Sequence, residues 1–167
     1  MVCKHAEFKT RLMLANGVFH SKLVYLINVW GNAEKYLIKA LQTQQLIAAR
    51  TVCGRLSAWW SRLKILKTVR WLSVNQLVEY HLILQAYKTL NSGKPKSLHS
   101  NLTTAYPYNI RNASIVNIRL RGYVSVNTFK YRAMIAYNRV PAQLKVGSLV
   151  TVKRKLKQWV WTNIPFE

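Results

Sequence analysis

Between Ser73 and Asn91 the chain is apolar almost all the way round a helix: Leu77, Val78, Tyr80, Leu82, Ile83, Leu84, Ala86, Tyr87 and Leu90 occupy nearly every side of it. A helix with no polar face belongs at the buried centre of a bundle, so the rest of the chain must supply helices to cover it. Ser73-Val-Asn-Gln76 has the spacing of a capping box, in which hydroxyl and amide side chains satisfy backbone N–H groups at the helix start. Asn91-Ser-Gly-Lys-Pro95 ends the helix.

The covering helices are legible on either side. From about Lys4 to Trp30, Phe8, Leu12, Ala15, Phe19, Leu23, Leu26 and Ile27 recur at three and four, with Gly17 a weak point and Gly31-Asn32 a stop. Ala33 to Cys53 predicts a second helix with Leu37, Ala40, Leu41, Ile47, Ala48 and Val52 as its apolar stripe and Gly54 as its C-terminal cap. A connection holding Trp59-Trp60 leads into a short basic helix, Arg62 to Val69. After Lys94, Pro95, Pro107 and a Ser/Thr/Asn-rich run to Ser114 predict a short helix and then irregular chain. Ile115 to Val126 alternates weakly, a pattern compatible with one short β-hairpin turning at Arg121-Gly122. Asn127 to Val140 reads as helix stopped by Pro141, and Ser148 caps a last helix to about Trp161 with Leu149, Val152, Leu156, Trp159 and Val160 on one face. The expected architecture is mainly α, a bundle of about five to six helices. Residues 1–93 form the first helical part, 94–127 an irregular connection, and 128–167 a helical segment packed on the first part within one structural domain.

Charge decides what such a bundle meets. The chain carries 26 Lys and Arg against four acids, a formal charge of +22, while half of its residues are apolar and sufficient for a core. A folded domain so charged repels itself, and a nearby polyanion relieves the repulsion. RNA, DNA and anionic membrane surface are the candidates.

The same imbalance excludes chemistry. The acids are Glu7, Glu34, Glu79 and Glu167, scattered and single, and no Asp occurs. Two-metal phosphoryl transfer needs several convergent carboxylates, so no polymerase or nuclease site is expected in this chain. Cys3 and Cys53 lack metal-ligand spacing, and His5, His20, His81 and His99 make none with them. No Ser/His/acid constellation or glycine-rich phosphate loop is present. No metal, cofactor or small-molecule substrate is therefore expected. Nor is a secretory signal or membrane span, because Lys4, Lys9 and Arg11 interrupt the first residues and no apolar run is long enough. The sequons at Asn101 and Asn112 are then chance matches.

Several short pieces, in order, resemble a known family. Leu14-Ala-Asn-Gly-Val-Phe-His-Ser-Lys-Leu-Val-Tyr-Leu, Val29-Trp-Gly and Leu41-Gln-Thr-Gln-Gln-Leu-Ile-Ala-Ala-Arg50 are similar to reverse transcriptases of non-LTR (LINE-type) retrotransposons, in the thumb and the region after it. Gly54, Leu66, Trp71-Leu-Ser-Val, Gln76-Leu, Tyr80-His and Tyr87-Lys-Thr-Leu continue the likeness, as do Asn109-Ile-Arg111, Thr128-Phe-Lys-Tyr-Arg132, Tyr137-Asn-Arg-Val-Pro141 and Lys155-Leu-Lys157. Tyr137 departs from the family, which usually has Trp before the Asn, a change expected to be absorbed by packing. The family's aromatic-Ala-Asp-Asp polymerase motif is absent. The resemblance implies a carboxy-terminal fragment that grips RNA or RNA–DNA duplex by its backbone, partners the polymerase palm, and acts in the nucleus and the cytoplasm.

Backbone contacts need Lys and Arg on exposed helical faces. Three sets are candidates: Lys22, Lys35, Lys39 and Arg50 on the early helices; Arg55, Arg62, Lys64, Lys67 and Arg70 on the basic connection, with Trp59 and Trp60 as stacking platforms; and Lys153, Arg154, Lys155 and Lys157 on the last helix. Against each stands a plainer role. A charged helical face is ordinarily just solvated, and adjacent Trp residues on a helix point about 100° apart, which puts one of them in the core. Trp30, Trp71 and Trp159 are expected in the core. Two other functions fit the composition: a structural RNA-binding protein such as a ribosome-associated component, and a membrane-surface protein using the last helix as an interfacial anchor.

Overall fold

In the computed structural model, which describes residues 6–103 and 128–166, the first helical segment is broken where the sequence offers no breaker. Helix α1 (Phe8–Ala15) runs into a π-helical turn, Asn16–His20, and then α2 (Ser21–Val24). The chain breaks at Tyr25 and resumes as α3 (Ile27–Trp30). Gly17, the expected weak point, lies inside the π-turn instead. The break rests on Leu26, whose φ of 49° is left-handed, at a cost of roughly 1–2 kcal/mol for a residue with a Cβ. On one unbroken helix Leu23, Leu26 and Ile27 would share a face. The break buries Leu23 and Ile27 and leaves Leu26 outside. Trp30, expected in the core, is half-buried, and its indole N–H donates to the Tyr25 carbonyl at 2.9 Å, closing the corner.

Of the expected stripe, helix α4 (Lys35–Cys53) buries Val52, and its other buried residues are Gln45, Leu46 and Ala49. Leu37, Ala40 and Ile47 are exposed. Gln45 can be buried because both the nitrogen and the oxygen of its amide are hydrogen-bonded. Its Nε2 donates to the Leu72 carbonyl at 2.9 Å, and its Oε1 accepts from Gln42 Nε2 at 3.0 Å. Gln42 Oε1 in turn accepts the Val74 N–H at 2.8 Å, one of the free donors at the start of the next long helix. At the other end Gly54 closes α4 at φ 78°, and the Arg11 guanidinium comes within 3.1 Å of where a Cβ there would sit. A cation at that end also complements the negative pole of the helix.

A 3-10 turn, Arg55–Trp59, leads to α5 (Arg62–Val69), whose bounds are those expected. The α5 end is a Schellman motif: Trp71 N–H bonds to the Leu66 carbonyl at 3.0 Å and Arg70 N–H to that of Lys67 at 3.1 Å. Arg70 takes the left-handed position at φ 57°, where Gly is usual. The link to α6 (Val74–Ser92) is buried throughout, from Trp71 to Val74. The Ser73–Gln76 capping box forms as expected, with Ser73 N–H on Gln76 Oε1 at 3.1 Å and Gln76 N–H on Ser73 Oγ at 3.3 Å.

The chain is mainly α-helical and divides into two compact units, Met1–Leu77 with Pro165–Glu167, and Val78–Ile164. In the first unit α4 packs against α1, the 3-10 turn and α5. Its core is Leu46, Ala49, Val52, Ile65, Leu66, Val69 and Trp71, with Leu12, Ala15, Phe19, Trp60 and Phe166 closing round it.

The second unit takes most of α6 and buries it on nearly all sides, as its composition requires: Leu82, Ile83, Leu84, Ala86 and Tyr87 are all inside. Helix α7 (Lys96–Thr103) packs against α8 (Phe129–Arg139). Helix α9 (Leu149–Asn163) is capped as expected by Ser148, whose Oγ accepts the Thr151 N–H, and it buries Val152, Leu156 and Val160. Leu149 is exposed, and Trp159 is half-buried rather than in the core. Tyr137 is buried, with the Lys145 ammonium 4.0 Å above its ring. Burial raises the Tyr137 pKa, with Tyr87 adding to it, and lowers that of Lys145. The Tyr87 hydroxyl donates to the Gly147 carbonyl at 2.9 Å and secures the entry to α9. The hairpin expected at Arg121-Gly122 and the Asn109-Ile-Arg111 piece lie outside the described residues. Among the described residues, no helix is long and apolar enough to cross a membrane.

Candidate nucleic-acid interface

The site is built outward from the end of α4. Once Gly54 has turned the chain, Ser57 pins the 3-10 turn from inside. Its hydroxyl is placed to donate to the Gly54 carbonyl at 2.6 Å and the Arg50 carbonyl at 3.3 Å, and the residue is buried. Trp60 then leaves the turn in extended backbone, its N–H on the Ser57 carbonyl at 3.1 Å. This change of backbone separates the two indoles. Trp60 packs against the core of the first unit, while Trp59 is 95% exposed.

The basic side chains follow on. Ser61 caps α5 by accepting the Lys64 N–H, and the Lys64 ammonium lies 4.7 Å above the Trp60 ring. Ile65, Leu66 and Val69 bury one face of α5, which leaves Lys64 and Lys67 as neighbours on the outer face. Arg62 and Arg70 are exposed at its two ends, and Arg50 is exposed on the last turn of α4. Arg55 opens the 3-10 turn. The second candidate set, with Arg50 added, thus occupies one short stretch around Trp59.

The first set does not form one cluster. Lys22, Lys35 and Lys39 are exposed, but Lys35 and Arg50 are separated by roughly 22 Å of helix. Arg50 belongs with α5. The third set is also exposed: Lys153, Arg154, Lys155 and Lys157 cover α9 opposite its buried residues, within the second unit.

No carboxylate occurs between Lys35 and Val78. The stretch of sequence that forms α4 and α5 therefore contributes only cations to the surface potential. Such a surface can hold phosphates by charge and present one flat indole face to a base. Burial pushes the Cys53 thiol up in pKa, only partly opposed by Arg11, so it stays protonated and a poor nucleophile. Among the described residues no three His, Cys, Asp or Glu side chains gather as a metal site would require.

Sequence reasoning missed two features here. It separated Trp59 from Trp60 in direction but gave no sign of which one faced the solvent. It also missed the left-handed Arg70, for which the only signal was a helix end with no Gly beside it. No family model matches the chain, and no curated protein or solved structure matches it either.

Proposed function

We propose that this chain binds RNA or RNA–DNA duplex by the sugar–phosphate backbone, in the manner of the thumb and post-thumb region of a non-LTR retrotransposon reverse transcriptase, with no catalytic step of its own. One observation carries the binding part: the exposed cations Arg50, Arg62, Lys64, Lys67 and Arg70 lie before and after the exposed Trp59 in the chain, on a stretch of sequence free of carboxylates. The family part rests on the order and spacing of the sequence pieces described above. In that reading the chain partners a polymerase palm and works in the nucleus and the cytoplasm.

The test is binding of the purified chain to RNA–DNA hybrid, structured RNA and single-stranded DNA over a salt series. Submicromolar binding with a slope of roughly several released counterions, and preference for hybrid or RNA, is the expected result. Target-blind binding no tighter than that of another protein of equal charge would overturn it.

A further inference from the structure

The binding surface contains one residue that phosphates do not explain. An indole left 95% exposed beside a packed core is a large apolar surface in water, and its neighbour Trp60 already fills the adjacent core position. Trp59 is held in place rather than dangling. Ser57 fixes the turn before it through bonds to the Gly54 and Arg50 carbonyls, and Trp60 anchors the chain after it. Exposed cations flank it in the chain, Arg50 on the last turn of the preceding helix and Arg62 opening the next. Lys64, drawn over the Trp60 ring, sits one step further along α5.

An exposed flat aromatic ring with exposed cations before and after it in the chain suits a nucleobase flanked by its phosphates. Inside a duplex, however, both faces of every base are covered by stacking, and only the edges are open in the grooves. A side chain can lie on a base face only where a base is unpaired or a helix ends.

Resting on the proposed duplex-binding function, we infer that the preferred ligand is a junction: an RNA–DNA or RNA duplex running into an unpaired strand, with the first unpaired base stacked on Trp59. Arg50, Arg62 and Lys67 hold the phosphates that follow, and Trp60 is the anchor, not a second platform. The surface therefore reads the end of the paired region, which backbone contacts alone cannot do.

The experiment compares three forms of one RNA–DNA hybrid: blunt, with a short single-stranded overhang, and with the same overhang made abasic. The abasic strand keeps the phosphates and removes the ring faces. The intact overhang is expected to bind about tenfold tighter than the blunt hybrid, the scale of one stacked base. The abasic overhang should lose most of that gain. Trp59→Ala should abolish the difference between intact and blunt ligands, and Trp59→Phe should retain much of it. Quenching of indole fluorescence by the overhang should be present in the native chain and absent in Trp59→Phe. An overhang advantage that survives Trp59→Ala or abasic substitution overturns the junction and leaves duplex binding standing. Failure to bind even the blunt hybrid removes the duplex reading itself, and the junction with it.

Discussion

The indole N–H of Trp71 donates to the Asn16 side-chain oxygen at 2.9 Å, joining residues 55 positions apart. Phe19 stacks on the same indole at 6.2 Å between centroids, and His20 lies against it at 5.2 Å. The π-turn is thus held to the buried link between α5 and α6 by one Trp. Asn16→Ala leaves the Trp71 N–H without its acceptor and should cost about 1–2 kcal/mol in chemical denaturation. Asn16→Asp, which keeps an acceptor, should cost less.

Arg70 sets stability against binding. A non-Gly residue in the left-handed position carries roughly 1 kcal/mol of strain that Gly does not. Arg70→Gly should therefore raise the unfolding free energy by about that amount. The same change removes one cation from the proposed interface, so the salt slope of hybrid binding should fall by about one. A variant both more stable and weaker in binding is the expected result. One that binds as tightly as the native chain, with the same slope, places Arg70 outside the interface.

The two adjacent Trp residues should separate cleanly in stability. Trp60→Ala opens a gap at the margin of the core and loses the Lys64 contact, for a cost of roughly 2 kcal/mol, below that of a fully buried Trp. Trp59→Ala removes only exposed surface and should leave the thermal midpoint within error. Equal losses from the two would contradict the packing described for Trp60.

Glu79 gives the second unit a pH dependence of defined sign. Burial raises its pKa, and the charges of Arg139 and Arg132 only partly oppose this. The folded state thus binds the Glu79 proton more tightly than the unfolded chain does. The resulting stabilisation is present below the unfolded-state pKa and is lost as pH rises through the raised folded-state value. Glu79→Gln, neutral at every pH, should remove this fall. Relative to the variant, the native chain should lose stability from acid to neutral pH, as read from urea midpoints in a pH series.

How much of this was legible beforehand depended on how far each interaction reaches along the chain. The caps at Ser73 and Ser148 and the bounds of α5 are set by residues within a turn of each other, and reading them needed only spacing. The all-round apolar α6 announced its own burial. The break at Leu26 was hidden because nothing local marks it. Gln45 looked like a surface residue because its acceptor, the Leu72 carbonyl, lies 27 positions away. At the candidate site the charge was plain from composition alone. The single exposed indole was not, because it depends on backbone torsions at the exit of a 3-10 turn.

The link from Trp71 to Ser73 joins two helices without behaving as a loop. Its backbone groups are occupied from three directions: Trp71 N–H by α5, the Leu72 carbonyl by α4, and Ser73 N–H by α6. Connecting segments ordinarily lie at the surface, where insertions are tolerated and amides exchange freely. This one has neither freedom. An added residue here would displace three sets of partners at once, so length variation, tags and proteolytic nicks are excluded from this connection.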